Sequence, residues 1–149
     1  MKRILFVLAT LLFAQPATAA GLVARDAWVR LMPPVAQSSA AYMTLKNTTG
    51  SDISIIGVTT DAATSSDLHA MRMRDGRMVM FALDSVSIPS HGEFSFAPGG
   101  FHIMLMGLSR PLHEGDVVHI VLHLADGSSF TVQAPVRDMR MGKQMHGMH

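Results

Sequence analysis

Apolar and polar residues alternate along most of this chain, and no segment is both long and periodic at the three- to four-residue spacing of an amphipathic helix. Ala41, Met43 and Leu45 interleave with Tyr42, Thr44 and Lys46, and Phe94 and Phe96 flank Ser95. Val118, Ile120, Leu122 and Leu124 likewise interleave with His119, Val121 and His123. A period of two sends successive side chains to opposite faces, so each stretch predicts a strand with one face in a core. Ile53 to Thr59 is short and β-branched, which also favours a strand. Leu22 to Met32 is mixed but strand-like, with Trp28 and Val29 as bulk for the core, until Pro33-Pro34 stops it. Turn chemistry recurs at Asn47-Thr48-Thr49-Gly50, Pro89-Ser90-His91-Gly92, Pro98-Gly99-Gly100, Pro111 to Asp116 and Asp126-Gly127. Thr60 to Ser66, small and polar, reads as a connecting loop. Nine or so short strands with regularly spaced turns and no helix predict an all-β fold, an antiparallel sandwich with Trp28 and Met43 inside it.

One strand departs from the plan of apolar inside and polar outside. In His102-Ile103-Met104-Leu105-Met106 the aliphatic pair takes one face, while a histidine and two methionines take the other. Upstream, Leu68 to Arg74 and Arg77 to Leu83 flank Asp75-Gly76, a two-residue hairpin signal because a type I′ turn needs positive φ at both central positions. That turn sets Met73 opposite Met78, Met71 opposite Met80, and His69 opposite Ala82. His69 and Met80 then become diagonal neighbours on one face, about 7–8 Å apart, a gap that long side chains close. His69, Met80, His102 and Met104 thus form a neutral, soft ligand set, which suits Cu(I) far better than zinc, magnesium or calcium.

Methionine at alternating strand positions is ordinarily packing material. What favours a metal here is sidedness: each half of the pattern puts a histidine on its methionine face, away from the aliphatic residues. Met71, Met73, Met78 and Met106 fall near the four by alternation and are read as apolar walls, with Met71 and Met106 as the nearest substitutes. His91 and His113 sit in turns, and His119 and His123 are separated by about 13 Å along one strand, so none of these four is assigned to the site.

The ends of the chain change the picture. Lys2-Arg3, the apolar run Ile4 to Ala14 and the small residues Ala17-Thr18-Ala19 read as a secretory signal over residues 1–19, too short to span a bilayer. Its removal leaves ten basic against eleven acidic residues, with no Lys/Arg cluster, so a nucleic-acid partner is excluded. Residues 20–135 then make one domain large enough to bury a core, and no later segment would cross a membrane. From Val136 the composition shifts, and residues 136–149 are expected to be a disordered tail. Its Met139, Met141, Met145, His146, Met148 and His149 are the candidate for a second copper site, whose imidazoles would also accept Cu(II).

Cysteine is absent altogether, which rules out a thiolate blue-copper centre and CXXC redox chemistry. Thioethers suit an oxidising compartment, since they need no deprotonation and form no disulfide. No Ser/His/Asp or paired-carboxylate arrangement recommends an enzyme.

In these features the sequence resembles the periplasmic copper chaperone family PCuAC. The likeness rests on the spacing of His69, Met80, His102 and Met104 and on Asp26-Ala27-Trp28-Val29-Arg30, Ala40-Ala41-Tyr42-Met43, Leu45-Lys46-Asn47 and Pro98 to Leu108. The resemblance covers about Leu22 to Pro135. It implies a Greek-key, cupredoxin-like sandwich that carries Cu(I) through the periplasm on those four ligands, in many members toward the Cu(A) centre of cytochrome c oxidase. Partners would then be copper donor and acceptor proteins, among them the Cu(A) subunit or its assembly factors, and the carrier itself is expected to be a monomer. Three alternatives stay open at this point: a copper-dependent redox enzyme, which would want a mostly nitrogen site with an open position, a periplasmic copper storage or resistance protein, and a structural or adhesive sandwich domain whose methionines only pack.

Overall fold

The computed structural model describes residues 21–139. The expected signal and Met141, Met145, His146, Met148 and His149 lie outside that range. Ten strands follow one another: β1 Leu22–Arg30, β2 Ser38–Asn47, β3 Ile53–Thr60, β4 Ala63–Arg74, β5 Arg77–Ala82, β6 Val86–Ile88, β7 Glu93–Phe96, β8 His102–Leu108, β9 Val117–Leu124 and β10 Ser129–Arg137. Their order in space is β5-β4-β8-β2-β1-β10-β9-β3-β6. One sheet runs from β5 to β1 and the other from β10 to β6, and the chain crosses between them at β2 to β3, β3 to β4, β5 to β6, β6 to β7 and β8 to β9. No helix among the described residues is long and apolar enough to cross a membrane.

The alternating positions meet between the sheets. Ala41, Met43, Leu45, Ile103 and Leu105 from one sheet pack with Val118, Ile120, Leu122, Phe130 and Val132 from the other. Burying a side chain of Val, Leu, Ile, Phe or Met contributes about 1.5–3 kcal/mol. The core therefore anchors both β2 and β8 by their odd-numbered residues. Their even-numbered residues, among them Ala40, His102 and Met104, are left to the opposite face.

Four expectations need correcting. β4 begins at Ala63, so most of the small polar stretch read as a loop is strand; it pairs with β8 from Ala63↔Leu108 onward, and ladder hydrogen bonds do not depend on side-chain identity. Trp28 is half-buried rather than core. A bulge between Arg25 and Trp28, with Asp26 at φ 52°, resets the alternation. Val29 then turns inward and Trp28 outward, where it lies against Tyr42 with ring centroids 4.7 Å apart. Third, the sandwich is not wholly antiparallel, because β1 and β10 pair in parallel through Val29↔Val136 and Arg30↔Arg137. That seam also moves the domain boundary, since β10 runs to Arg137 and Val136 is 1% exposed, in the core rather than in a tail.

Candidate metal centre

The hairpin turn has the backbone that its residues predict. Asp75 and Gly76 both take positive φ, 51° and 74°, and the register places Met73↔Met78, Met71↔Met80 and His69↔Ala82. On its other side β4 pairs with β8, and there His69 stands directly opposite His102 and Asp67 opposite Met104. The two imidazoles meet edge to face with centroids 5.7 Å apart. Paired residues share a face, so Met80, His69, His102 and Met104 span three adjacent strands on one side of the sheet.

The approach to β8 shapes the site further. β7 and β8 pair with successive halves of the same edge of β2, and the chain between them is thrown outward as a tight loop. Ala97 N donates to the carbonyl of Phe101 and Gly100 N to that of Ala97. Gly99, at φ 84°, supplies the conformation this turn requires. The loop brings the Gly100 carbonyl to 3.1 Å from His102 Nδ1. A carbonyl only accepts, so Nδ1 carries a proton, and in the neutral ring this leaves Nε2 its free lone pair, the tautomer a metal-binding imidazole needs.

A groove of ≈ 370 Å³ opens beside these residues, and Met80, His102, Met104 and Met71 line it with Tyr42, Pro98 and Gly99. His102 is 5% exposed and Met80 45%, with Met104 half-buried, so the thioethers lie at the mouth and the imidazole at the base. His69 is half-buried and does not line the groove; it sits against His102. Its Nδ1 is buried with no hydrogen-bond partner. Burial chiefly, and the neighbouring His102 next, hold the His69 pKa below its ordinary value, with Asp67 pulling the other way. A neutral imidazole with an unsatisfied nitrogen fits a soft cation, which satisfies the nitrogen without adding a charge to the ring. Among the described residues no three His, Asp or Glu side chains converge as a hard-ion site would require.

Two further methionines reach the groove, Met32 and Met139. Met139 was expected only as part of the tail and Met32 only as the end of a strand. The parallel seam explains both: Leu31 N donates to the Arg137 carbonyl, and the residues two beyond Arg30 and Arg137 leave the sheet side by side. No local signal in the sequence reveals this juxtaposition. Met106, in contrast, is not among the groove residues, and Met73 and Met78 are exposed, so these three are not its walls. The remaining histidines engage elsewhere: His119 Nδ1 lies 3.1 Å from Asp61, His123 Nε2 2.8 Å from Thr59 Oγ1, His113 3.6 Å from Asp116, and His91 occupies a turn at φ 57°.

Residues 22–136 match the protein family described as "Putative lipoprotein LpqE-like". The "Putative lipoprotein Lxx21020" of Leifsonia xyli subsp. xyli is 36% identical over 119 residues, 79% of this chain and 70% of that protein. Among solved structures, apo-DR1885 from Deinococcus radiodurans is 34% identical, with 93% of this chain and 94% of that one covered at a TM-score of 0.63. Its Cu(I) form is 35% identical over 85% of this chain and 83% of that one, at a TM-score of 0.59. The copper-bound PCuAC domain of PmoF2 shares the fold at a TM-score of 0.66, with 20% identity, 79% of this chain and 93% of that domain.

Proposed function

Starting from the fact that this chain belongs to the LpqE-like, PCuAC-type family, we propose that it is an exported copper chaperone. It binds Cu(I) through His69, Met80, His102 and Met104 and gives the ion up to an acceptor protein, such as the Cu(A) centre of cytochrome c oxidase. The observation that carries this reading is the pairing of His69 with His102, rings 5.7 Å apart, on the face that also bears Met80 and Met104. The existence of a Cu(I) form of DR1885 supports it. Neutral ligands near the surface hold Cu(I) without a thiolate cage, and an ion held at an open groove can be passed on. The leader-like residues 1–19 and the lipoprotein description of its relatives support export, and the periplasm is the compartment in which we propose that the carrier works.

Anaerobic titration with Cu(I) against a competing chelator, paired with X-ray absorption on protein ending at Asp138, tests the assignment. One tightly bound equivalent, with both copper–nitrogen and copper–sulfur scattering, is expected. Absence of copper–sulfur scattering in that form would refute it. Delivery is tested by the Cu(A) occupancy of oxidase in cells lacking this protein, which should fall and recover when the gene is restored.

A further inference from the structure

The methionine face of the β4–β5 hairpin continues past the groove. β4 pairs with β8 only as far as His69↔His102, and β5 is the edge strand of the sheet, so the rungs Met71↔Met80 and Met73↔Met78 project beyond β8. Met73 is 64% exposed and Met78 50%. A packing role requires burial, and neither residue has it. The hairpin has no need of them for apolar contact either, because its other face carries Phe81 with Arg72 stacked over the ring at 4.6 Å. Arg74 and Arg77 pair with each other on that other face as well, so a cation on the methionine side does not meet their charge directly.

We propose that Met71, Met73 and Met78 form a second soft-metal site, which takes a monovalent d10 ion, Cu(I) or Ag(I), through thioethers alone. Directly opposed strand residues have Cβ atoms about 4.5–5.5 Å apart, and the flexible methionine side chain lets three sulfurs from neighbouring rungs turn toward one ion. No carboxylate or imidazole stands on these rungs, so hard and borderline divalent ions are not favoured. Met71 stands directly opposite Met80, so an ion held there adjoins the mouth of the groove. This site rests on the Cu(I)-carrier reading of the groove and extends it.

The test uses the full mature chain with 13C-labelled methionine methyl groups, titrated with Ag(I) to saturation and followed by NMR. The Met80 and Met104 methyls should shift in a first step, with Met71 beside them, and the Met73 and Met78 methyls in a separate, weaker one. A Met73→Leu/Met78→Leu double variant, altered only at exposed positions, should lose the second step and keep the first. If Met73 and Met78 stay still, or move only in step with Met104, the second site is overturned. If they move in a step of their own while Met80 and Met104 stay still, the groove reading fails and the hairpin site stands.

Discussion

Met104 and Met106 lie two residues apart on the same face of β8, yet only Met104 lines the groove. Met104→Ala should therefore weaken Cu(I) binding at least tenfold, about 1.4 kcal/mol, and leave the fold intact because the core is held by Ile103 and Leu105. Met106→Ala should change affinity much less; chelator competition on both variants checks the contrast. His69 makes a second prediction. Burial first, then His102, keep its folded pKa below 6.5, so the unfolded chain takes up the proton before the folded one does. Stability from this group is thus complete above pH 6.5 and declines as pH falls from there through the folded pKa. Cu(I) affinity should follow the same direction, since a protonated ring cannot bind. The His69 ring resonances of the apo protein should titrate below pH 6.5, and a midpoint at or above that value would contradict the burial argument.

At the scale of elements, the site depends on how closely β8 approaches β4. Gly107, at φ 65°, ends the ligand-bearing run of β8, and a Cβ built there would stand 2.2 Å from Thr64 Oγ1. Gly107→Ala combines the left-handed conformation, costing an L-residue about 1–2 kcal/mol, with overpacking worth about 1–3 kcal/mol. Denaturant unfolding should show a loss of about 2 kcal/mol or more. A companion Thr64→Ala change should recover part of it, by removing the atom in the way. Gly76→Ala meets no neighbour within 4 Å, so only the conformational part of the penalty should appear at the hairpin turn. The hairpin register itself was readable from Asp75-Gly76 alone, because the turn geometry is set by two residues and the pairing follows from it. Trp28 shows the opposite case: a bulge leaves no period-two signature, and so its side could not be read from the sequence.

For the whole molecule, the β1–β10 seam decides where the chain can be cut. Val136 donates to the Asp116 carbonyl and accepts from Gly115, and Arg137 accepts from Leu31. A chain ending at Pro135 should lose this closure together with buried Val136, and unfold at lower temperature than one ending at Asp138. The longer form should keep Cu(I) binding at His69, Met80, His102 and Met104. It should also lack a Cu(II) equivalent that the full-length chain takes up through Met141, Met145, His146, Met148 and His149. Metal analysis of both forms after identical loading and desalting checks this, and equal Cu(II) per chain would mean that these residues are not a site.

The sequence by itself determined most of the strand content, the side that the regularly alternating strands turn to the core, the hairpin register, and the soft character of the ligand face. All of these follow from interactions within a few residues: the two-residue period of an extended chain and the φ that a turn demands. Tertiary structure alone decided that His69 faces His102, that Trp28 turns outward, and that Met32 and Met139 arrive at the same groove as Met104. Those juxtapositions depend on the register between strands distant in the chain. There the backbone hydrogen bonds are indifferent to side-chain identity, and packing of the whole core selects the alignment.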